Sequence, residues 1–334
     1  MVPDEVTTAI GEHYELQGLE LTPIDGGADL AASLWKAVDA RGRRFAVKWS
    51  SSGSPAGMVL PAALDAIRAG SAPAPVPTRG RSLWVDVGDA RLSVTRWVDG
   101  GSGWDTPLGR PGWYAFGQLL SALHSLPVVG QVSKQVPRED FDPSRWADYF
   151  EKIDAELDGA PDSGITARLA EQWHARRPAL REVHRRTLDL GARLRTRADL
   201  PRSVPCHADP HLGNIVVSED GRPVLLDFDD AVLAPAERDL MFVLGGGVLA
   251  DVPVTGRQQA WFLEGYGAYS IGPDLLTYYR GLRVLEDASE LAGVVLDPAL
   301  SDRERREALG HVEGLFSETG LLAQARSGGR GHRP

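Results

Sequence analysis

Residues 205–230 read PCHADPHLGNIVVSEDGRPVLLDFDD, and the rest of the chain can be interpreted as a scaffold for this segment. Two short apolar runs, residues 215–217 and 224–226, flank a polar segment that contains an Asp-Gly pair. This pattern predicts a β-hairpin with glycine in its turn. Such a hairpin places the loop before its first strand beside the end of its second strand. We therefore expect Asp209, Asn214 and Asp227 to lie at one edge.

These side chains are two carboxylates and an amide, a set that suits a hard cation next to a hydroxyl group. Mg²⁺ prefers oxygen ligands and keeps several waters, so Asn214, Asp227 and substrate phosphates together would hold it. Asp209 would then accept the hydroxyl proton, which is the division of labour that phosphoryl transfer requires. Each residue could instead serve a turn or a helix cap, but the combined spacing favours the catalytic interpretation.

The spacing of His207-x-Asp209, Asn214 and Asp227-x-Asp229 resembles the catalytic and metal loops of the aminoglycoside phosphotransferases and other small-molecule kinases. Features further along resemble the spectinomycin-phosphotransferase branch of that family: LAPAERDLMF at 233–242, three glycines at 245–247, Tyr278-Tyr279-Arg280, Arg283, Glu286 and Asp287. The resemblance extends over roughly residues 20–295. It implies an α+β, two-lobed protein-kinase-like fold with a small antiparallel β N-lobe and a larger helical C-lobe.

The resemblance also implies roles for single residues. Asp209 would orient and deprotonate the acceptor hydroxyl, and Asn214 and Asp227 would hold one or two Mg²⁺ ions. His207 and Asp239 would support the loop structurally, without acting as acid or base. The acceptor would lie between the late helices and the catalytic loop, with candidate contacts from Asp229, Asp230, Glu286 and Asp287. For the last two residues, an exposed charged helix is an equally good interpretation.

The first 98 residues predict the nucleotide-binding lobe. After a short amphipathic helix within residues 1–20, three strands are predicted at 21–29, 32–38 and 44–49, and two more at 82–87 and 91–98. Alternation along the third strand places Lys48 on the opposite face from Phe45, Val47 and Trp49. From there Lys48 would reach the donor phosphates as kinases arrange it. The Gly26-Gly27 turn would let the backbone approach the nucleotide. The following helix carries no Glu, so either Asp65 pairs with Lys48 or that partner is missing.

Residues 95–101 predict a hinge, in which backbone groups of Arg96, Trp97 and Val98 would meet the nucleotide base. The helical lobe is then expected over residues 99–325, and the Gly- and Arg-rich residues 326–334 predict a disordered tail. Helical periodicity is expected at 113–126, 143–157, 166–200, 257–269 and 273–291. Gly191 is expected to break the third of these helices.

The composition of the chain limits the classes of molecule that it is expected to bind. The 334-residue chain has a net charge of −10 and only one cysteine. The charge argues against nucleic acid, whose phosphates need stripes of Lys and Arg, and is compatible with a cationic small molecule. A lone Cys206 excludes an internal disulfide. The absence of a long apolar run or a signal-peptide core predicts a cytoplasmic protein without membrane contact, either a monomer or a homodimer.

The sequence therefore predicts an ATP- or GTP-dependent O-phosphotransferase that acts on a hydroxyl of a small cationic antibiotic. An aminocyclitol such as spectinomycin is the favoured acceptor, and resistance by phosphorylation would be the outcome. Two alternatives stay open. One is a kinase for another antibiotic or a small metabolite, such as an amino alcohol, a sugar or a homoserine-like compound. The other is a nucleotide-binding regulator without catalysis.

Overall fold

A computed structural model describes residues 3–24, 32–51, 54–160, 163–245 and 253–327. The chain divides into two compact units, each assembled from segments distant in sequence. The first comprises Met1–Arg138, Val204–Leu233 and Trp261–Gly267, and the second comprises Glu139–Ser203, Ala234–Ala260 and Ala268–Pro334. The lobe boundary near residue 98 stays a prediction.

A five-stranded antiparallel sheet forms the N-terminal part of the first unit. Its strands run in the order β1-β2-β3-β5-β4 and comprise β1 (Glu20–Pro23), β2 (Ala32–Val38), β3 (Arg44–Ser50), β4 (Val85–Val87) and β5 (Ala90–Arg96). One face packs with α1 (Asp4–His13) around a core that includes Tyr14, Trp35, Phe45 and Val47. The predicted alternation along β3 is thus confirmed, since Phe45 and Val47 are buried in this core.

The first unit also contains α2 (Ala56–Ile67), α3 (Arg110–His124) and α4 (Gly130–Gln135). Two small sheets carry residues 204–234. In one, β6 (Gly101–Ser102), β8 (Ile215–Val217) and β9 (Pro223–Leu225) lie in that order, and in the other β7 (Val204–Cys206) pairs with β10 (Val232–Ala234). The end of α8 (Gly256–Tyr266) contributes Phe262, which packs against Phe116 with ring centroids 5.5 Å apart. His124 faces this core and bonds the Tyr266 hydroxyl at 2.8 Å.

The second unit is helical. Its core forms between α5 (Ser144–Glu156), α6 (Gly164–Arg195), α9 (Pro273–Leu296), α10 (Asp302–Leu315) and α11 (Leu321–Ser327). The short helix α7 (Glu237–Leu240) is also part of the second unit. The capping box of α10 is complete, because Ser301 and Glu304 satisfy each other's backbone N–H groups. Residues 326 and 327, predicted as tail, end α11, whereas residues 328–334 lie outside the described residues.

The predicted break near Gly191 is wrong. Helix α6 continues through this residue to Arg195. A Cβ atom at Gly191 would lie 2.7 Å from the carbonyl oxygen of Phe141. Glycine therefore permits the close approach of the segment before α5, and it leaves the helix intact.

No helix in the described ranges is both long enough and apolar enough to cross a membrane.

Candidate active site

The predicted hairpin is confirmed. Strands β8 and β9 pair in antiparallel register, with Ile215 opposite Leu225 and Val217 opposite Pro223. The turn closes through a 2.8 Å hydrogen bond from the Gly221 N–H to the carbonyl of Ser218. Gly221 has φ of 77°, a left-handed conformation that glycine adopts without steric cost.

Hydrogen bonds join the loop of residues 207–214 to Leu226, which immediately precedes Asp227. The Leu226 N–H donates to the Asn214 carbonyl at 2.8 Å. The Leu226 carbonyl in turn accepts from Nε2 of His207 at 2.6 Å. Both backbone groups of Leu226 are therefore fixed by residues of the catalytic loop. This arrangement brings the loop that carries Asp209 and Asn214 beside Asp227.

Two residues of this region have a strained backbone. Ala208 has φ of 75° and Asp227 has φ of 53°, although neither is glycine. Such conformations cost of the order of 1–3 kcal/mol and persist only where the surrounding structure enforces them. The bonds to Leu226 provide that enforcement next to Asp227. The strain therefore accompanies the two positions that aim the carboxylates of Asp209 and Asp227.

The Asp209 carboxylate is held from several sides. Nδ2 of Asn214 donates to the Asp209 carbonyl at 2.9 Å and to its Oδ2 at 3.3 Å. Nε2 of His211 lies 3.4 Å from the same Oδ2. The side chain retains 16% exposure. Asp209 is thus oriented by its neighbours while part of its surface stays accessible to a substrate.

The two histidines of the loop have defined tautomers. Nδ1 of His207 accepts from the Asp209 N–H at 3.2 Å, and Nδ1 of His211 accepts from the Gly213 N–H at 2.9 Å. Because a backbone N–H can only donate, each Nδ1 must be unprotonated, and the ring proton of a neutral histidine lies on Nε2. His207 is fully buried and contacts Phe228 with ring centroids 4.5 Å apart. The supporting role that the resemblance implied for His207 stays a prediction.

Lys48 forms ion pairs with the segment after β9. Its Nζ lies 2.6 Å from Oδ2 of Asp229 and 3.4 Å from Oδ1 of Asp227. Burial alone would lower the pKa of Lys48, but the charges of Asp227 and Asp229 outweigh it and raise that pKa. Burial raises the pKa of Asp229, although Lys48 opposes this effect. The ammonium of Lys48 is thus held in its charged form.

Asp65, the alternative partner for Lys48, is engaged elsewhere. Its Oδ1 accepts the Gly70 N–H at 2.8 Å and so caps the turn after α2. The first turn of α2 contains no acidic residue. Asp229 is the residue that the structure pairs with Lys48 at the shorter distance, and Asp230 is exposed. The acceptor contacts expected of Asp229 and Asp230 stay predictions.

The donor set beside Asp209 fits a magnesium ion. The side-chain NH₂ group of Asn214 donates to Asp209, so the side-chain oxygen Oδ1 of Asn214 is the amide atom suited to a cation. The Asp227 side chain is 52% exposed and supplies a carboxylate. Only oxygen donors are involved, as Mg²⁺ requires, and an accessible carboxylate leaves room for waters and phosphates.

The predicted hinge is already hydrogen-bonded in part. The Arg96 N–H donates to the carbonyl of Ala74 at 3.0 Å, and the Trp97 N–H donates to the carbonyl of Arg44 at 3.1 Å. The Trp97 ring also lies under Nζ of Lys36, which is 4.6 Å from its centroid. The N–H groups of Arg96 and Trp97 thus have partners, and the contacts of Arg96, Trp97 and Val98 with a nucleotide base stay predictions. Gly26 and Gly27 lie outside the described residues.

The remaining predicted residues belong to the helical unit. Asp287 forms a 2.7 Å ion pair with Arg283, one turn earlier on α9. Burial would lower the pKa of Arg238, but the charges of Glu286 and Glu139 outweigh it and raise that pKa. Asp239 is fully buried. Their proposed roles in acceptor binding and loop support stay predictions.

Trp104 is a neighbour of the catalytic loop that the sequence analysis did not single out. Its ring centroid lies 6.1 Å from that of His211, and a Cβ on Gly213 would come within 2.5 Å of its Nε1. The side chain is 50% exposed. Glycine at 213 therefore lets an accessible aromatic ring lie beside His211. The only sequence signal is a lone Trp after a Gly-Ser-Gly turn, which does not predict this position.

Several small-molecule kinases of known structure share this fold. A spectinomycin phosphotransferase solved with ADP and spectinomycin has a TM-score of 0.82 at 22% identity, over 98% of both chains. An amicoumacin kinase solved with AMP-PNP and Ca²⁺ has a TM-score of 0.57 at 17% identity, over 96% of this chain and 95% of the other. A microcompartment-associated aminopropanol kinase has a TM-score of 0.58 at 16% identity, with the same coverage. A search of curated protein sequences gave no significant match.

These likenesses define the fold class, which is the kinase-like fold of small-molecule phosphotransferases. The predicted antiparallel β region followed by a larger helical region is thereby confirmed. Residues 20–283 match the model of the phosphotransferase enzyme family, and the chain belongs to that family. It is a phosphotransferase, as the sequence predicted.

Proposed function

We propose that this phosphotransferase transfers the γ-phosphoryl group of ATP or GTP to a hydroxyl of a small cationic acceptor. The observation that carries the proposal is the joint placement of Asp209, Asn214 and Asp227, fixed through both backbone groups of Leu226. Lys48 adds a fixed cation beside Asp227. Phosphoryl transfer needs just such positioning and neutralisation of charge.

Each residue has a role in this proposal. Asp209, held by Asn214 and His211, orients the acceptor hydroxyl and takes its proton. Lys48 binds the donor phosphates from β3. Asn214 and Asp227 hold Mg²⁺, which when bound neutralises charge on the phosphates. The partial exposure of Asp209 and Asp227 leaves both carboxylates accessible to substrates.

Spectinomycin is the first acceptor to test. The net charge of −10 suits a cationic molecule, and the residues at 233–242 resemble the spectinomycin-phosphotransferase branch. At 22% identity the structural likeness supports the fold only. Other acceptors, such as an amino alcohol or a homoserine-like metabolite, are therefore alternatives that the same experiment distinguishes.

The test is a coupled assay of nucleoside diphosphate release with MgATP and with MgGTP. Acceptors are spectinomycin, aminoglycosides, choline and homoserine. We expect saturable turnover with spectinomycin, abolished in Asp209→Asn and retained in Asp86→Asn, which changes an exposed aspartate of β4. Asp209→Asn should still bind MgADP. Full activity of Asp209→Asn would refute the catalytic assignment, and turnover with another acceptor alone would replace spectinomycin.

A further inference from the structure

The Lys48 ammonium needs a partner that α2 does not provide. In protein kinases the corresponding lysine is held by a glutamate of the helix that follows its strand. Here the acidic residue of α2 is Asp65, and its Oδ1 is bonded to the Gly70 N–H at 2.8 Å. A partly buried lysine without a carboxylate would be costly, because burial disfavours its charged form. The positioning group must therefore come from another part of the chain.

Asp229 meets this requirement by geometry. Its Oδ2 lies 2.6 Å from Nζ of Lys48, and both side chains are largely shielded, with 25% and 24% exposure. Asp227 lies farther away, at 3.4 Å, and its side chain is 52% exposed. The shorter and more shielded contact is the stronger one, since screening by water weakens an exposed pair. Lys48 has three N–H donors, so one bond to Asp229 leaves others for phosphate oxygens.

Gly57 makes room for the Asp229 carboxylate. A Cβ atom at Gly57, in the first turn of α2, would lie 2.6 Å from Oδ1 of Asp229. The helix that lacks a glutamate thus presents a glycine against the carboxylate that replaces it. Alanine at this position would displace the Asp229 side chain, because its carboxylate is the movable partner in the contact.

We propose that Asp229 is the positioning residue for Lys48, with Gly57 providing the space for its carboxylate. The inference rests on the proposed function, in which Lys48 binds the donor phosphates. Asp229 acts through Lys48 and touches no substrate. Its removal should therefore weaken nucleotide binding only as long as Lys48 is present.

A double-mutant cycle on MgADP affinity, measured by calorimetry at saturating Mg²⁺, tests this coupling without any acceptor. We expect Asp229→Asn and Lys48→Met each to weaken binding about tenfold, the range for loss of a hydrogen bond to a charged group. The double variant should bind no more weakly than Lys48→Met alone. Additive losses would overturn the proposal. Tighter binding by Asp229→Asn would also overturn it, because Asp229 would then compete with the phosphates for Lys48.

Mg²⁺ titrations separate positioning from metal binding. In Asp229→Asn, the Mg²⁺ concentration needed for half-maximal ADP binding should match that of the wild type. A raised Mg²⁺ requirement, with wild-type affinity recovered at high Mg²⁺, would make Asp229 a metal ligand and overturn the proposal. Wild-type protein that binds no MgADP would refute the proposed function itself. Wild-type binding with an unchanged Asp229→Asn would refute only this inference.

Gly57→Ala gives a second test that removes no charge. We expect MgADP affinity to fall in the same direction as in Asp229→Asn, with a smaller effect once Lys48 is replaced by Met. The matched control is Gly11→Ala, a helical glycine whose added Cβ would meet nothing within 4 Å. Unchanged affinity in Gly57→Ala would contradict the role given to Gly57. Circular dichroism and thermal melting establish that each variant is folded.

Discussion

His207→Phe tests whether the fixed loop geometry is what makes the site active. The substitution keeps an aromatic ring against Phe228 and removes two hydrogen bonds, to the Leu226 carbonyl and from the Asp209 N–H. His207 is fully buried, so both backbone groups would lose these partners in a dry environment. Each such loss costs roughly 1–3 kcal/mol, and we expect about 3 kcal/mol of lost stability in total.

Turnover should fall further than stability suggests. The Leu226 carbonyl immediately precedes Asp227, whose backbone is held at φ of 53°. Without the His207 bond, this strained conformation loses one of its constraints, and the Asp227 carboxylate can move. A misplacement of about 1 Å at a reacting centre can cost on the order of 100-fold in rate. We expect a loss of that order at saturating substrate, measured at a temperature where the variant is fully folded.

His124→Phe is the matched control. It also replaces a buried histidine of the first unit, and the bonds it removes include the 2.8 Å contact with the Tyr266 hydroxyl of α8. We expect at least about 1 kcal/mol of destabilisation and near wild-type turnover. Urea unfolding followed by tryptophan fluorescence gives the stabilities, and the coupled assay gives the rates. Wild-type turnover in His207→Phe, or equal losses of turnover in both variants, would refute the reasoning.

Three further predictions concern stability. Asp154→Asn should cost about 2 kcal/mol, because Asp154 accepts from Trp173 Nε1 and two arginines at 2.7–2.8 Å. Burial would raise the pKa of Asp154, but these partners lower it. The contribution of Asp154 to the free energy of unfolding is therefore complete above about pH 4 and declines at lower pH. In urea unfolding, the stability difference between the wild type and Asp154→Asn should shrink below that pH. Gly117→Ala should lower the melting temperature and Gly11→Ala should not, because the new Cβ at 117 would clash with the Phe262 carbonyl oxygen. Finally, Gly191→Ala should destabilise α6 despite alanine's better helix propensity, and a raised melting temperature would contradict the close approach to Phe141.

Local patterns in the sequence were sufficient for the hairpin and for the central strand of the sheet. Residues 215–217 and 224–226 are apolar around an Asp-Gly turn, and such a turn fixes the register of the strands that it joins. Alternation along β3 similarly placed Lys48 opposite Phe45 and Val47. Each of these predictions depends on neighbours within a few residues, and each is confirmed.

Glycine shows where local patterns mislead. Gly191 was interpreted as a helix breaker, because glycine costs about 1 kcal/mol in a helix interior. That cost concerns the isolated helix, whereas the structure places the Phe141 carbonyl against this position. The favourable packing of α6 in the helical core outweighs the propensity, so the helix continues. Sequence reveals the glycine but does not reveal which backbone approaches it.

The partner of Lys48 illustrates the same limit at the active site. Asp65 follows Lys48 by 17 positions and lies on the helix after its strand, where protein kinases carry the partner of this lysine. The 2.6 Å contact of Lys48 is nevertheless with Asp229, 181 positions away. Two features decide the outcome. Asp65 lies late in α2, where the Gly70 N–H provides it with a local partner, while Gly57 in the first turn leaves space for a carboxylate from another segment. The missing glutamate therefore does not imply a lost function. Asp229 supplies the carboxylate that the glutamate provides in protein kinases. In the proposed mechanism, the short segment 227–229 therefore both binds metal, through Asp227, and positions the phosphate-binding lysine, through Asp229.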